Sequence, residues 1–123
     1  MRAKKVIVAV KPLEDALDEF RDVWRKAEAG EEVEKKEALY FESIRALRSV
    51  LTERRLELLR VVREKQPASI KQLAEELGRD FKGVYRDIKL LASLGLVELE
   101  KGSGRIGARP RVFYDRLTIE VPV

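Results

Sequence analysis

The chain has no cysteine and no histidine. Without thiols there is neither a disulfide framework nor a zinc–thiolate site. Without imidazole, the commonest metal ligand and the commonest general base near neutral pH are also gone. Carboxylates alone can bind a metal, but no acidic stretch has calcium-loop spacing. No metal and no cofactor are therefore expected. Apolar runs are short: the longest, Val6 to Val10, is far below the ~20 residues that a membrane-spanning helix needs. Met1 to Lys5 is basic, but no adequate apolar segment follows, so a signal peptide is not expected and a cytoplasmic location is. Asparagine is absent and glutamine occurs only as Gln66 and Gln72, in a chain that is 39% charged. Such usage resembles proteins from hot environments, where thermolabile residues are depleted and ion pairs favoured.

These absences bear on catalysis. The serines and threonines have no visible base partner, and the acids scatter along helix faces instead of converging. The GSGRIG stretch at 102–107 lacks the GK[ST] ending of a phosphate loop and precedes a strand instead of a helix. An enzyme is not expected.

The charge that is present is unevenly placed. Residues 1–50 hold eleven Lys/Arg against eleven Asp/Glu, residues 51–78 six against five, and residues 79–123 nine against six. Most of the formal +4 thus lies in the last third, the distribution of a nucleic-acid footprint.

Residues 69–99 organise that region. Ser69 is an N-cap, Gln72 completes a capping box, and Ile70, Leu73, Ala74 and Leu77 form one apolar stripe ended by Gly78. Asp80 caps a second helix over 81–94. Phe81, Val84, Ile88 and Leu91 make its core face; Lys82, Arg86 and Lys89 project oppositely, with Tyr85 on the shoulder. Two short helices joined by a glycine turn, the second exposing cations, match a helix-turn-helix. The outer helix suits the DNA major groove, Arg86 being placed to read a base and Lys82 and Lys89 to hold phosphates. Gly95 to Leu99 then leads into a glycine-rich loop with Lys101, Arg105, Arg109 and Arg111. Val112–Tyr114 and Leu117–Val121 are strand-like returns, so the segment reads as a basic wing able to reach backbone or minor groove. A solvated hairpin loop is the plain alternative.

The stretches LTERRLELL at 51–59, GRDFKGVYRDIKLL at 78–91 and LGLVE at 94–98 resemble winged-helix regulators of the MarR-like group. With LYFES at 39–43, the chain from about residue 38 onward is also similar to small archaeal and bacterial putative DNA-binding proteins described as antitoxins. The resemblance implies an α+β, mainly helical fold: a winged helix-turn-helix at 51–123 behind an N-terminal strand–helix extension at 1–50. It further implies a double-stranded-DNA-binding transcriptional regulator, or an antitoxin-like module that binds a toxin through residues 1–50.

Upstream, KKVIVAV at 4–10 reads as a buried strand and Pro12 as a helix opener. Leu13, Ala16, Leu17, Phe20, Val23, Trp24 and Ala27 form one stripe over 13–29, ended by Gly30. That stripe either packs on its own domain or forms a homodimer or partner face, for which Phe20, Trp24 and Tyr40 are the candidates. ALYFE at 38–42 is extended, with Tyr40 and Phe41 pointing oppositely, and 43–50 is a short helix capped by Ser43. Thr52 caps the next helix, with Leu51 and Leu56 as its staple and Leu56, Leu58, Leu59, Val61 and Val62 buried; Pro67 ends it. Single-stranded nucleic acid is disfavoured, because a stacking platform needs several exposed aromatics and only Tyr85 is foreseen.

Overall fold

A computed structural model describes residues 5–32, 38–102 and 107–123, in which the chain is α+β and about half helical. It divides into two compact units, Met1–Val50 with Arg116–Val123, and Leu51–Asp115.

The first unit is built on strand β1 (Lys5–Val10). This is the central strand of a parallel sheet between β2 (Ala38–Phe41) and β5 (Arg116–Glu120), with Val8 aligned to Leu39 on one side and to Ile119 on the other. A central parallel strand is covered on both faces, which is why KVIVAV is apolar on both parities and Val6, Val8, Ala9 and Val10 are all buried. Phe41 is buried while Tyr40 is exposed, as the two-residue period of a strand requires.

Helix α1 (Leu13–Glu28) connects β1 to β2. Pro12 stands one position before it, and its carbonyl accepts from the Asp15 and Ala16 amides at 3.1 and 3.2 Å. Glu14 and Asp15 occupy the first turn, Arg25 and Lys26 the last, each matching the pole of the helix dipole. Yet none of its residues is buried, and Leu13, Leu17, Phe20, Val23 and Trp24 are all exposed. Of the two roles open to the stripe, packing within its own domain does not occur among the described residues. Helix α2 (Ile44–Val50) follows, capped by the Ser43 hydroxyl, which accepts from the Ala46 amide at 3.1 Å.

The second unit comprises α3 (Glu53–Lys65), α4 (Ile70–Leu77), α5 (Phe81–Ser93) and an antiparallel pair, β3 (Glu98–Glu100) and β4 (Arg109–Arg111). Each helix starts on a side-chain cap: Thr52 accepts from the Arg55 amide, Ser69 from Gln72 and Asp80 from Gly83. Gln72 returns the favour one residue earlier than the usual box, accepting from the Ala68 amide at 2.8 Å. Gly78, at φ 64°, closes α4 in the left-handed conformation that glycine adopts without strain. Leu58, Leu73, Val84, Ile88 and Leu91 are fully enclosed and form the core that the three helices share.

Several expectations fail here, each for a physical reason. Leu56 is exposed, because the apolar stripe of α3 runs through Leu58, Leu59 and Val62, and Val61 is only half-buried. Val112–Tyr114 is not a strand, since the return of the hairpin is the earlier Arg109–Arg111. The apolar run near residue 117 pairs with β1, where a parallel neighbour completes that strand's hydrogen bonding.

Tyr114 is nonetheless buried, and its hydroxyl donates to the Leu96 carbonyl at 2.8 Å. Burial holds its phenol above the ordinary value of 10.0, so the folded chain favours the neutral form. The stability that this group supplies is complete below about pH 10 and declines above it, where the unfolded chain ionises first. Tyr114→Phe is expected to flatten the fall of melting temperature across that alkaline range. An unchanged fall would assign it to the lysines.

Candidate nucleic-acid interface

Helix α5 has two opposed faces. Val84, Ile88 and Leu91 are wholly enclosed, so the rotation of the helix about its axis is fixed. Lys82, Arg86 and Lys89, at i, i+4 and i+7, are thereby held outward, and all three are exposed with Tyr85 beside them. The Lys89 ammonium lies 5.8 Å from the centre of the Tyr85 ring, a cation–π distance.

Phe81 was expected on the core face and is instead 48% exposed. It stands at the first residue of the helix, where the stripe overhangs its support, and it stacks on Tyr85 at 5.8 Å with 27° between the ring planes. The outer surface therefore has two aromatics, not one. The i, i+4 spacing of Phe81 and Tyr85 was the signal for this pairing.

Asp87 is the other residue whose role was not foreseen. It is the buried charge of α5, at 8% exposure, and both carboxylate oxygens are engaged. Arg55 Nε of α3 donates to Oδ1 at 3.2 Å, and Arg79 Nη2, from the turn before α5, donates to Oδ2 at 2.9 Å. One carboxylate thus ties α5 to the supporting helix and to the turn, at the two points that set how the exposed face is presented. The Nη1 of Arg79 is buried without a partner, so this guanidinium relies on Asp87 for its polar contact on that side.

The expected wing cations are placed differently from one another. Lys101 is exposed just beyond β3, whereas Arg109 and Arg111 are half-buried on β4, flanking the buried Pro110. Arg109 has a buried Nε with no partner, and the Arg111 guanidinium lies 5.4 Å from the Phe113 ring centre. Arg105 lies outside the described residues.

In the first unit Phe20 and Trp24 stack at 6.3 Å on the open face of α1. Tyr40, 46% exposed, hydrogen-bonds to Glu19 at 3.4 Å and lies under the Lys11 ammonium, 4.9 Å from its ring centre. Lys11 is itself bonded to Glu19, which holds its pKa above the ordinary lysine value. Among the described residues no cluster of acids suited to a metal occurs, and no helix is long and apolar enough to cross a membrane.

The class to which these observations lead is a small α+β chain whose second unit presents a cationic, aromatic helix face. More narrowly, the chain belongs to the HVO_A0114 family, matched over residues 50–119, a span that covers the whole second unit and reaches into β5. No curated protein matches it.

Proposed function

We propose that the chain is a sequence-specific, double-stranded-DNA-binding transcriptional regulator of the winged-helix kind. The observation that carries this reading is the outer face of α5, where Lys82, Tyr85, Arg86 and Lys89 are exposed together on a helix locked by its core side. A helix fits the major groove, and this face offers it cations without an intervening acid. Arg86, at the middle, reads a base in bidentate fashion. Lys82 and Lys89 hold phosphates, and the Phe81–Tyr85 stack presents apolar surface to thymine methyls. The β3–β4 hairpin is the wing, with Lys101, Arg109 and Arg111 as its cations. One such unit makes few contacts, so two copies act on two half-sites.

The deciding experiment is fluorescence anisotropy against the gene's own promoter duplex and a scrambled duplex, over a salt series. Preference for the promoter by roughly a thousandfold or more is expected. Equal binding to both that vanishes with salt would defeat the reading. Within the same series, Lys82→Ala should weaken binding to every duplex alike and reduce the salt slope by about 1, as the loss of one phosphate contact does.

A further inference from the structure

We propose that the outer edge of β5 pairs with itself: two copies of the chain join their β5 strands antiparallel, about a two-fold axis that passes by Thr118 normal to the sheet. The result is one continuous sheet of order β2-β1-β5-β5-β1-β2. The inference specifies the dimer invoked in the functional reading above, but it rests only on the first unit and is measured without DNA. Failure of either therefore leaves the other standing.

The starting point is a strand with one side unused. β5 pairs with β1 residue for residue from Arg116 to Glu120, without a bulge, and among the described residues no strand lies on its other side. The backbone N–H and C=O groups of alternate residues therefore point away from the sheet, and such an edge is a template for another strand. Proline, the usual block, stands only beyond the strand, at Pro122. The side chains are open as well. Arg116 and Glu120 are exposed, Leu117 and Thr118 are half-buried, and Ile119 is 51% exposed.

What occupies the edge is indicated by the order of residues along it. A two-fold axis normal to the sheet keeps every side chain on its own face, so a residue meets one of its own parity. Directly opposed side chains then share a face and touch. With the axis at Thr118, Arg116 stands opposite Glu120 of the second copy, Leu117 opposite Ile119 and Thr118 opposite itself, and the symmetry repeats each pair. One face of the seam thus carries two ion pairs around a threonine pair, and the other face two apolar pairs, all of them favourable cross-strand combinations. Moving the axis to Leu117 or to Ile119 sets Arg116 against Thr118 or against Pro122 and loses both ion pairs. Within its own chain Arg116 is aligned with Lys5, two cations at one level, to which Glu120 of the second copy brings an acid. β2, at the opposite edge of the sheet, has no charged residue and offers no such match. The strand is therefore complementary to its own reverse, so a second copy is the occupant that it fits. A seam of 5 residues from each chain is small, so dissociation in the micromolar range is expected.

The absence of native cysteine makes the test clean. Thr118→Cys, Arg116→Cys and Glu120→Cys variants are oxidised alone, and the last two also as a mixture. At the axis the two β-carbons of position 118 lie about 5 Å apart, whereas the two copies of position 116, or of position 120, are about 14 Å apart along the strands. Disulfide-linked dimers are expected from Thr118→Cys alone and from the mixture, and not from Arg116→Cys or Glu120→Cys alone. Linking of either of those two alone, or no linking from both Thr118→Cys and the mixture, would overturn the proposal. In parallel, sedimentation of the unmodified chain should show a concentration-dependent dimer. Arg116→Glu should weaken it on the order of tenfold or more, since the symmetry turns both ion pairs into like-charge pairs. Adding Glu120→Arg should restore it, which a variant that had merely lost its fold would not do. A monomer at about 100 µM, assemblies that grow past the dimer as a head-to-tail joint of β5 with β2 would, or a dimer indifferent to Arg116→Glu would each overturn it.

Discussion

Asp87→Ala is expected to lower the stability of the second unit by about 3 kcal/mol, a fall in melting temperature on the order of 10–20 °C for a unit of this size. The substitution removes a carboxylate whose two oxygens are bonded to Arg55 and Arg79, and so takes the Asp87 counter-charge from both guanidinium groups. Breaking a buried pair costs about 3–5 kcal/mol when the remaining charge has no access to water. Both arginine side chains here keep about a fifth of their exposure, so the lower end of that range applies. Asp87→Asn should be milder, because the amide oxygen still accepts one hydrogen bond. Thermal melts of the two variants check this. A loss below about 1 kcal/mol for Asp87→Ala would mean that the network is solvated and decides little. Because the carboxylate also fixes α5 against α3 and the turn, affinity for DNA should fall in Asp87→Asn even under conditions where the chain remains folded.

Arg86→Ala is expected to weaken binding to the promoter by about 1–3 kcal/mol, roughly 5- to 150-fold, and to relax selection at one base position. Arg86 is central on the exposed face, one turn from Lys82 and near the aromatic stack. A guanidinium there reaches the two acceptors on the guanine edge together, which an ammonium does not. Arg86→Lys should therefore recover much of the salt-dependent affinity but little of the selectivity. Anisotropy with a panel of single-base promoter variants separates the two effects. Equal losses on promoter and random duplex would make Arg86 a phosphate contact and remove the base-reading assignment.

The parts of the molecule that could be read from the sequence are those whose causes are local. The caps at Thr52, Ser69 and Asp80 and the turn at Gly78 each depend on residues within four positions, and each helix of the second unit begins or ends where those signals stand. The carboxylate of Asp87 was invisible for the opposite reason. Its partners are 32 and 8 residues away, and no periodicity connects them. Phe81 was misplaced because a helical period assigns a face without saying how far the core extends beneath it, and the first turn of α5 overhangs that core. An amphipathic stripe says that a helix has something to bury, but not that the chain itself will bury it; α1 is the case in point. The last strand shows a similar gap, since LTIEV has the same pattern whether it closes a hairpin or joins a distant sheet.

That last pairing has a consequence for the order in which the molecule is made. Lys5 aligns with Arg116 and Ala9 with Glu120, so β1 waits for almost the entire chain to be synthesised before one of its two neighbours exists. The second unit, continuous in sequence from Leu51 to Asp115, can fold on the ribosome meanwhile. During that interval the most apolar segment of the chain has an unpaired edge, the kind of template on which strands of other molecules add. Translation rate and chaperone supply, acting on the N-terminal strand instead of on the second unit, should then govern how much of this protein reaches its folded state.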